Sequence, residues 1–215
     1  MSEGPRGSSR AEEGLIMAST SHPHAGPNTQ RRERLLALPG RGDPFDRHVL
    51  SCALVAALED VEQARAISLN AGLGLHADSL SRLLDHCFPG FDTLEPDVSR
   101  EGDAGEGAIE EADLRGLLLE HASHQGEATT WLAHIIARRA LKPGHLWQGL
   151  GLDARSELST LMTRHFAALA QQNVHNMRWK KFFYRQLCGR EGIPICKSPV
   201  CGDCPDYRAC FVRDE

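Results

Sequence analysis

Glu127-Ala-Thr-Thr-Trp-Leu-Ala-His-Ile-Ile-Ala-Arg-Arg-Ala-Leu141 places Trp131, Leu132, Ile135 and Ile136 on one face of a helix, and Lys142-Pro143-Gly144 ends it. The same period recurs on both sides. Upstream, Val49, Leu50, Ala53, Leu54, Ala57 and Leu58 form a second stripe, beginning after Asp43. Asp78 can cap a helix carrying Leu80, Leu83, Leu84 and Cys87, which ends at Phe88-Pro89-Gly90. Glu110 to about Ala122 sets Leu114, Leu117 and Leu118 on one side. Downstream, Ser156 to Gln171 carries Leu158, Leu161, Met162, His165, Phe166 and Leu169. Asn173 can cap a last helix through Leu187, with Trp179, Phe183 and Leu187 one turn apart.

Composition agrees with this pattern. Of 215 residues, 27 are Leu and 24 Ala, against only 7 Val and 7 Ile, so a sheet-dominated fold is not expected. The expected fold class is all-α: a single helical domain of about five or six helices with a C-terminal cysteine-rich loop. Residues 1–42 hold 15 Gly, Pro or Ser without sustained periodicity and read as a disordered tail, with Met17 an alternative start. The helical domain then covers residues 43–188. Within it, Glu95, Asp97, Glu101, Asp103 and Glu106 face only Arg100, so residues 95–107 read as a solvated acidic, glycine-rich linker. Residues 189–215 form a separate cysteine-rich tail.

Charge and hydropathy exclude several classes. A net charge of −5 supplies no global attraction for nucleic acid or anionic membrane. No apolar run approaches the roughly 20 residues of a bilayer span. The stretch Leu15-Ile16-Met17-Ala18 is too short for the core of a secretory signal, so the expected location is cytoplasmic.

The cysteines are unevenly placed. There are seven, an odd number that fits a disulfide framework poorly. Cys52 and Cys87 lie on apolar stripes and read as core residues. Cys188, Cys196, Cys201, Cys204 and Cys210 crowd the C-terminus, and the last four are spaced C-x4-C-x2-C-x5-C. Four thiolates within 15 residues suit an iron–sulfur cluster or zinc. Structural zinc usually uses two Cys-x2-Cys pairs a dozen or more residues apart, whereas this tail has one pair flanked by single cysteines. A cuboidal cluster collects thiolates from a short irregular loop more readily. Pro194, Pro199 and Pro205 keep this segment non-helical, and Gly202 permits close backbone approach. Spacing therefore ranks an iron–sulfur cluster first, zinc second and unliganded thiols third.

Three stretches carry a more specific resemblance. They are His145-Leu-Trp-Gln-Gly-Leu-Gly-Leu-Asp153, Arg178-Trp-Lys-Lys-Phe-Phe-Tyr-Arg-Gln-Leu-Cys188, and the cysteine tail followed by Phe211. Together they resemble the NifQ family of nitrogen-fixation proteins, most clearly from Trp131 to Phe211. Val212 stands where that family tends to carry glycine, and Gly149 where an acidic residue is expected. The resemblance implies a carrier rather than an enzyme: a protein that binds a molybdenum–iron–sulfur cluster and supplies molybdenum for the nitrogenase iron–molybdenum cofactor. It also implies that Cys196, Cys201, Cys204 and Cys210 hold the cluster and that molybdate is the metal source. The implied partners are the nitrogenase cofactor scaffold and the nitrogenase iron protein.

Other residues have weaker claims. Cys188 is a further thiol eight residues before Cys196, open to a fifth-ligand or persulfide role. Arg178, Lys180, Lys181 and Arg185 form either a docking face or the solvated side of a helix. His165 and His175 are the histidines nearest the tail and can offer a nitrogen to molybdenum, although a structural role is the commoner one. No Ser-His-Asp order, phosphate loop or His-Glu-x-x-His motif is present. A zinc-stabilised interaction module and an iron–sulfur electron-transfer protein remain open alternatives.

Overall fold

The computed structural model describes residues 1, 26–100, 104 and 109–190. Among them there are helices and turns, and no strand. The all-α expectation holds, but eleven helices replace the expected five or six. In order they are α1 (Pro27–Leu36), α2 (Pro44–Glu62), α3 (Leu69–Leu73), α4 (Ala77–Cys87), α5 (Phe91–Leu94), α6 (Ile109–Glu120), α7 (Glu127–Ala140), α8 (Leu146–Gly149), α9 (Arg155–His165), α10 (Ala167–Gln172) and α11 (Trp179–Arg190).

α2 starts where its sequence says it should. The Asp43 carboxylate accepts hydrogen bonds from the amides of Phe45 and Asp46 at 2.9 and 3.2 Å, and Pro44 opens the first turn. Every residue of its stripe is buried, and Ser51, Cys52 and Val55 are buried as well, so the helix is enclosed on more than one side.

The centre of the fold is α7, which packs against α2, α3, α4, α6 and α8. Its last turn buries two arginines, 7% and 4% exposed, each facing a carboxylate. Arg138 Nε donates to Glu111 of α6 at 2.8 Å, and its terminal nitrogens donate to the carbonyls of Ala71 and Ala104. Arg139 donates to Asp60 of α2 and to the carbonyls of Gly72 and Gly149. Asp60 also accepts from Arg65 Nε at 2.8 Å and lies 3.2 Å from Lys142 Nζ. Burial alone would raise the Asp60 pKa; the Arg65 hydrogen bond, the Arg139 charge and Lys142 reverse this and hold it below its ordinary value.

Two glycines let the connections seat closely on this frame. Gly74 (φ +67°) ends α3, and a Cβ there would meet Arg138 Cβ at 2.8 Å. Gly151 (φ +70°) follows α8, and its Cβ would meet the Cys52 carbonyl at 2.7 Å.

Five expectations need correction. Residues 27–36 of the supposed tail are helical: α1 buries Leu35, and its Arg31 pairs with Glu62 and Glu95, both at 2.7 Å. Polar residues otherwise dominate α1, so no apolar stripe revealed it. The supposed linker is strapped to the body where it is described: Ser99 O accepts from the Leu69 amide at 2.9 Å, and Ala104 is buried beneath Arg138. The remaining linker residues, 101–103 and 105–107, lie outside the described residues.

The segment from Ser156 to Gln171 is two helices. Phe166 leaves the helical region (φ −139°, ψ 47°), and Ser123 binds both sides of the break, from its amide to His165 O and from the Ala167 amide to its Oγ. Both halves face the core, so their apolar period continues across the break. Finally, His76 precedes α4, with Asp78 in the first turn rather than at the cap. Asn173 closes a turn on Met177, and α11 begins six residues later at Trp179.

Replacing Asp60 by Asn should destabilise the protein by about 3–5 kcal/mol at neutral pH in urea unfolding, because Arg139 would stay buried without its countercharge. Since folding depresses the Asp60 pKa, its contribution is complete above the ordinary value of about 3.9 and is lost as pH falls through the lower folded value. The variant should therefore show a shallower loss of stability in acid than the parent. Equal stability of the two proteins at neutral pH would refute the buried-pair account.

Candidate functional site

The cysteine tail follows α11 directly. Cys196, Cys201, Cys204 and Cys210 lie outside the described residues, so the structure defines the platform behind them. α11 is anchored by its apolar face: Trp179, Phe182 and Phe183 are buried, with ring centroids 5.8–6.2 Å apart, and the helix packs on α6. The turn before it is tied down by Arg155, which donates to Asn176 O, Asn176 Oδ1 and Met177 O at 2.9–3.0 Å. At the far end Arg190 pairs with Glu120 at 2.7 Å. Cys188, two residues short of that end, is half-buried.

The cationic residues of α11 do not form a uniform solvated face. Lys181 is exposed, but Lys180 is half-buried and donates to the Lys142 carbonyl. Burial and then the nearby Arg139 charge lower the Lys180 pKa. Arg185 Nη1 lies 3.8 Å from Met177 Sδ. Lys180 therefore belongs to the packing of the body, and Lys181 is the better candidate for contact with another molecule.

The histidines divide in the same way. His165 is 5% exposed, with Thr129 Oγ1 on Nδ1 and Asp46 Oδ1 on Nε2, both at 2.9 Å. Its two ring nitrogens are thus occupied inside the core, and it has a structural role. His175 is exposed in the turn before α11.

A second polar cluster was not singled out from the sequence. His48 and Cys52 project from α2, Glu157 from the first turn of α9, Asp153 from the connection just before it, and Arg32 from α1. His48 Nε2 lies 2.9 Å from Glu157 and 3.8 Å from Cys52 Sγ. Ligand atoms of His48, Asp153 and Glu157 fall within 4.8 Å of one another, a spacing from which a divalent metal could be held after modest rotation. Arg32 already occupies this position, donating to Asp153 at 2.9 Å and to Cys52 Sγ at 3.4 Å. The cluster is therefore compensated by a guanidinium. It borders a cavity of about 520 Å³ that extends to Asp60 and Arg139. The visible signal was a pair of i, i+4 spacings, His48/Cys52 and Asp153/Glu157, which only the packing of α2 on α9 makes meaningful.

Cys52 and Cys87 are core residues, as expected. Burial raises both thiols, against the opposing Arg32 at Cys52 and Arg47 at Cys87, and Cys87 is pushed up to about 11. At pH 8 a thiol of that pKa is ionised in only about one molecule in a thousand. Iodoacetamide treatment of the native protein followed by mass spectrometry should leave Cys52 and Cys87 unmodified until denaturant is added. Labelling of Cys87 at the rate of a free thiol would contradict its burial.

Comparison with known proteins places these features in a family. The NifQ family profile matches residues 49–212, a span containing α7, α11 and all four tail cysteines. The chain is 44% identical over 171 residues to a protein NifQ homolog of Sinorhizobium fredii, covering 80% of this chain and 74% of that protein. It is 39% identical over 146 residues to protein NifQ of Rhodobacter capsulatus, covering 68% and 79% respectively. Over 81 residues it is 53% identical to protein NifQ of Klebsiella pneumoniae, 37% of this chain and 48% of that one. No solved structure matches with significance. The all-helical body, the aromatic and cationic α11 and the cysteine motif behind it thus belong together, and this chain is a member of the NifQ family of nitrogen-fixation proteins.

Proposed function

We propose that this protein is a molybdenum carrier: it binds molybdenum within an iron–sulfur cluster and supplies it for assembly of the nitrogenase iron–molybdenum cofactor. The observation that carries this reading is the C-x4-C-x2-C-x5-C motif of Cys196, Cys201, Cys204 and Cys210, which lies wholly inside the family-matched span. Three thiolates can each bind one iron of a cuboidal fragment, leaving a corner for molybdenum, which accepts sulfide and harder ligands together. The cluster is cargo, and the protein acts as a carrier and not as an enzyme. The motif follows α11 in the sequence, and that helix is attached to the body through Trp179, Phe182 and Phe183. The recipients under this reading are the cofactor scaffold and the nitrogenase iron protein, in the cytoplasm.

Metal and acid-labile sulfide analysis of anaerobically purified protein tests the proposal. Iron, sulfide and molybdenum should co-purify with the chain. Replacing any one of the four cysteines by Ala should weaken metal retention at least as much as the loss of an outer-shell partner, about 10–100-fold. Helical circular dichroism should not change, because the buried core of the described residues is built without these four thiols. A colourless protein with zinc and no sulfide would replace the carrier with a zinc-stabilised interaction module. A reversible redox centre without molybdenum would replace it with an electron-transfer protein.

A further inference from the structure

His48 on α2, Glu157 in the first turn of α9 and Asp153 in the connection before it each bring one ligand atom within 4.8 Å of the other two. Ligands about 2.0–2.2 Å from a tetrahedral zinc ion stand about 3.3–3.6 Å from one another. His48 Nε2 and Glu157 Oε1, at 2.9 Å, are already closer than such an edge, and no pair of the three exceeds 4.8 Å. Side-chain rotation therefore suffices to place all three on one ion. The group is also open to solvent: the side chains of His48 and Glu157 are each 24% exposed and that of Asp153 62%. The Asp153 connection comes this near to α2 because Gly151 has no Cβ, which would meet the Cys52 carbonyl at 2.7 Å.

Two observations besides the spacing point to a cation. First, Glu157 is oriented. Its Oε2 accepts from the Asp153 amide at 2.8 Å, which leaves Oε1 directed at His48, and an outer hydrogen bond of this kind is what fixes a ligating carboxylate. Second, the place already holds a positive charge. Arg32 Nη1 lies 2.9 Å from Asp153 Oδ1 and 3.4 Å from Cys52 Sγ. One guanidinium thus faces two carboxylates. With the imidazole neutral, as a metal ligand must be, the group keeps one uncompensated negative charge. A dication in place of the guanidinium removes that imbalance.

We propose that His48, Asp153 and Glu157 bind a divalent first-row metal ion in exchange for the Arg32 guanidinium, and that the ion clips α2 to the start of α9. One imidazole nitrogen and two carboxylates suit zinc, iron(II) or manganese(II), and not copper(I), which prefers sulfur. Zinc leads these three in the general order of affinities, and three protein ligands leave its fourth position to water. The site is built from the helical body and does not rest on the cluster proposed for the cysteine tail.

The test titrates zinc at neutral pH into the full chain with Cys196, Cys201, Cys204 and Cys210 replaced by Ala, followed by calorimetry and by the melting temperature. One saturable zinc per chain and a raised melting temperature are expected. His48→Ala and Glu157→Gln should each weaken binding by at least about tenfold. Arg32→Met removes the competing cation while keeping similar bulk, and should tighten binding by about two- to fivefold, the equivalent of a partly exposed ion pair. A substitution that merely disturbed packing would lose affinity, so this gain separates exchange from general damage. Circular dichroism checks that each zinc-free variant is folded; should His48→Ala not fold, the other two substitutions decide. Absence of saturable zinc overturns the site, and so does binding that neither His48→Ala nor Glu157→Gln weakens. Weakening by these two without a gain in Arg32→Met overturns the exchange with the guanidinium.

Discussion

One buried carboxylate organises the centre of this protein. Asp60, near the end of α2, faces Arg65, Arg139 and Lys142, and Arg139 reaches it from the last turn of the central helix α7. Beside this group, Arg138 meets Glu111 of α6. The two adjacent arginines also take up the carbonyls of Ala71, Gly72, Ala104 and Gly149. A guanidinium has five donors in a rigid plane, so each arginine can satisfy several backbone acceptors and one carboxylate together. Burying these charges carries a large desolvation cost, which is offset only when every partner is in place. The arrangement therefore specifies position more than it adds stability. It joins α2, α3, α6 and α8 to the end of α7, and the loop entering α8 and the start of α11 adjoin it through Lys142.

Lys142 links this core to the functional end of the molecule. Its ammonium lies near Asp60, and its carbonyl accepts from Lys180 in the first turn of α11. Lys180 is drawn into the body by this contact, so the helix that leads to the cysteine tail is oriented by the same polar core that sets the other helices. Trp179, Phe182 and Phe183 supply the apolar part of the attachment. A recess lies at the start of α11, and the cysteine motif follows that helix in the sequence. Charge at this end of the chain is concentrated locally, although the protein as a whole is acidic.

Much of this was visible in the amino-acid sequence, for identifiable reasons. The stripes of α2 and α7 were legible because long apolar periods have one good solution, a helix against a core. Cys52 and Cys87 were assigned to the core by their place on such stripes. The break at Phe166 was not legible, because a buried phenylalanine continues the period on both sides while its backbone leaves the helix, whereas the end at Phe88 was marked by the Pro89-Gly90 that follows it. α1 was missed for the opposite reason. It is held by Arg31 and Arg32 paired with Glu95, Glu62 and Asp153, contacts between residues 31 to 121 positions apart, and a polar helix stabilised in this way has little apolar period.

The candidate site divides along the same line. The four-cysteine motif and the family the chain belongs to are determined by the sequence alone, because both are read from residue identity and spacing, which do not depend on how the chain folds. The helical class follows from the sequence too, since it is set by local period and composition. Tertiary structure alone decided that Lys180 faces inward while Lys181 remains exposed, that His165 has both ring nitrogens occupied, and that His48, Asp153 and Glu157 meet beside Arg32. Each of these depends on which side chains from distant segments meet, and on whether a buried donor finds an acceptor there. Hydrophobic period constrains which face of a helix is inside, but it carries no information about the polar partners that the inside provides.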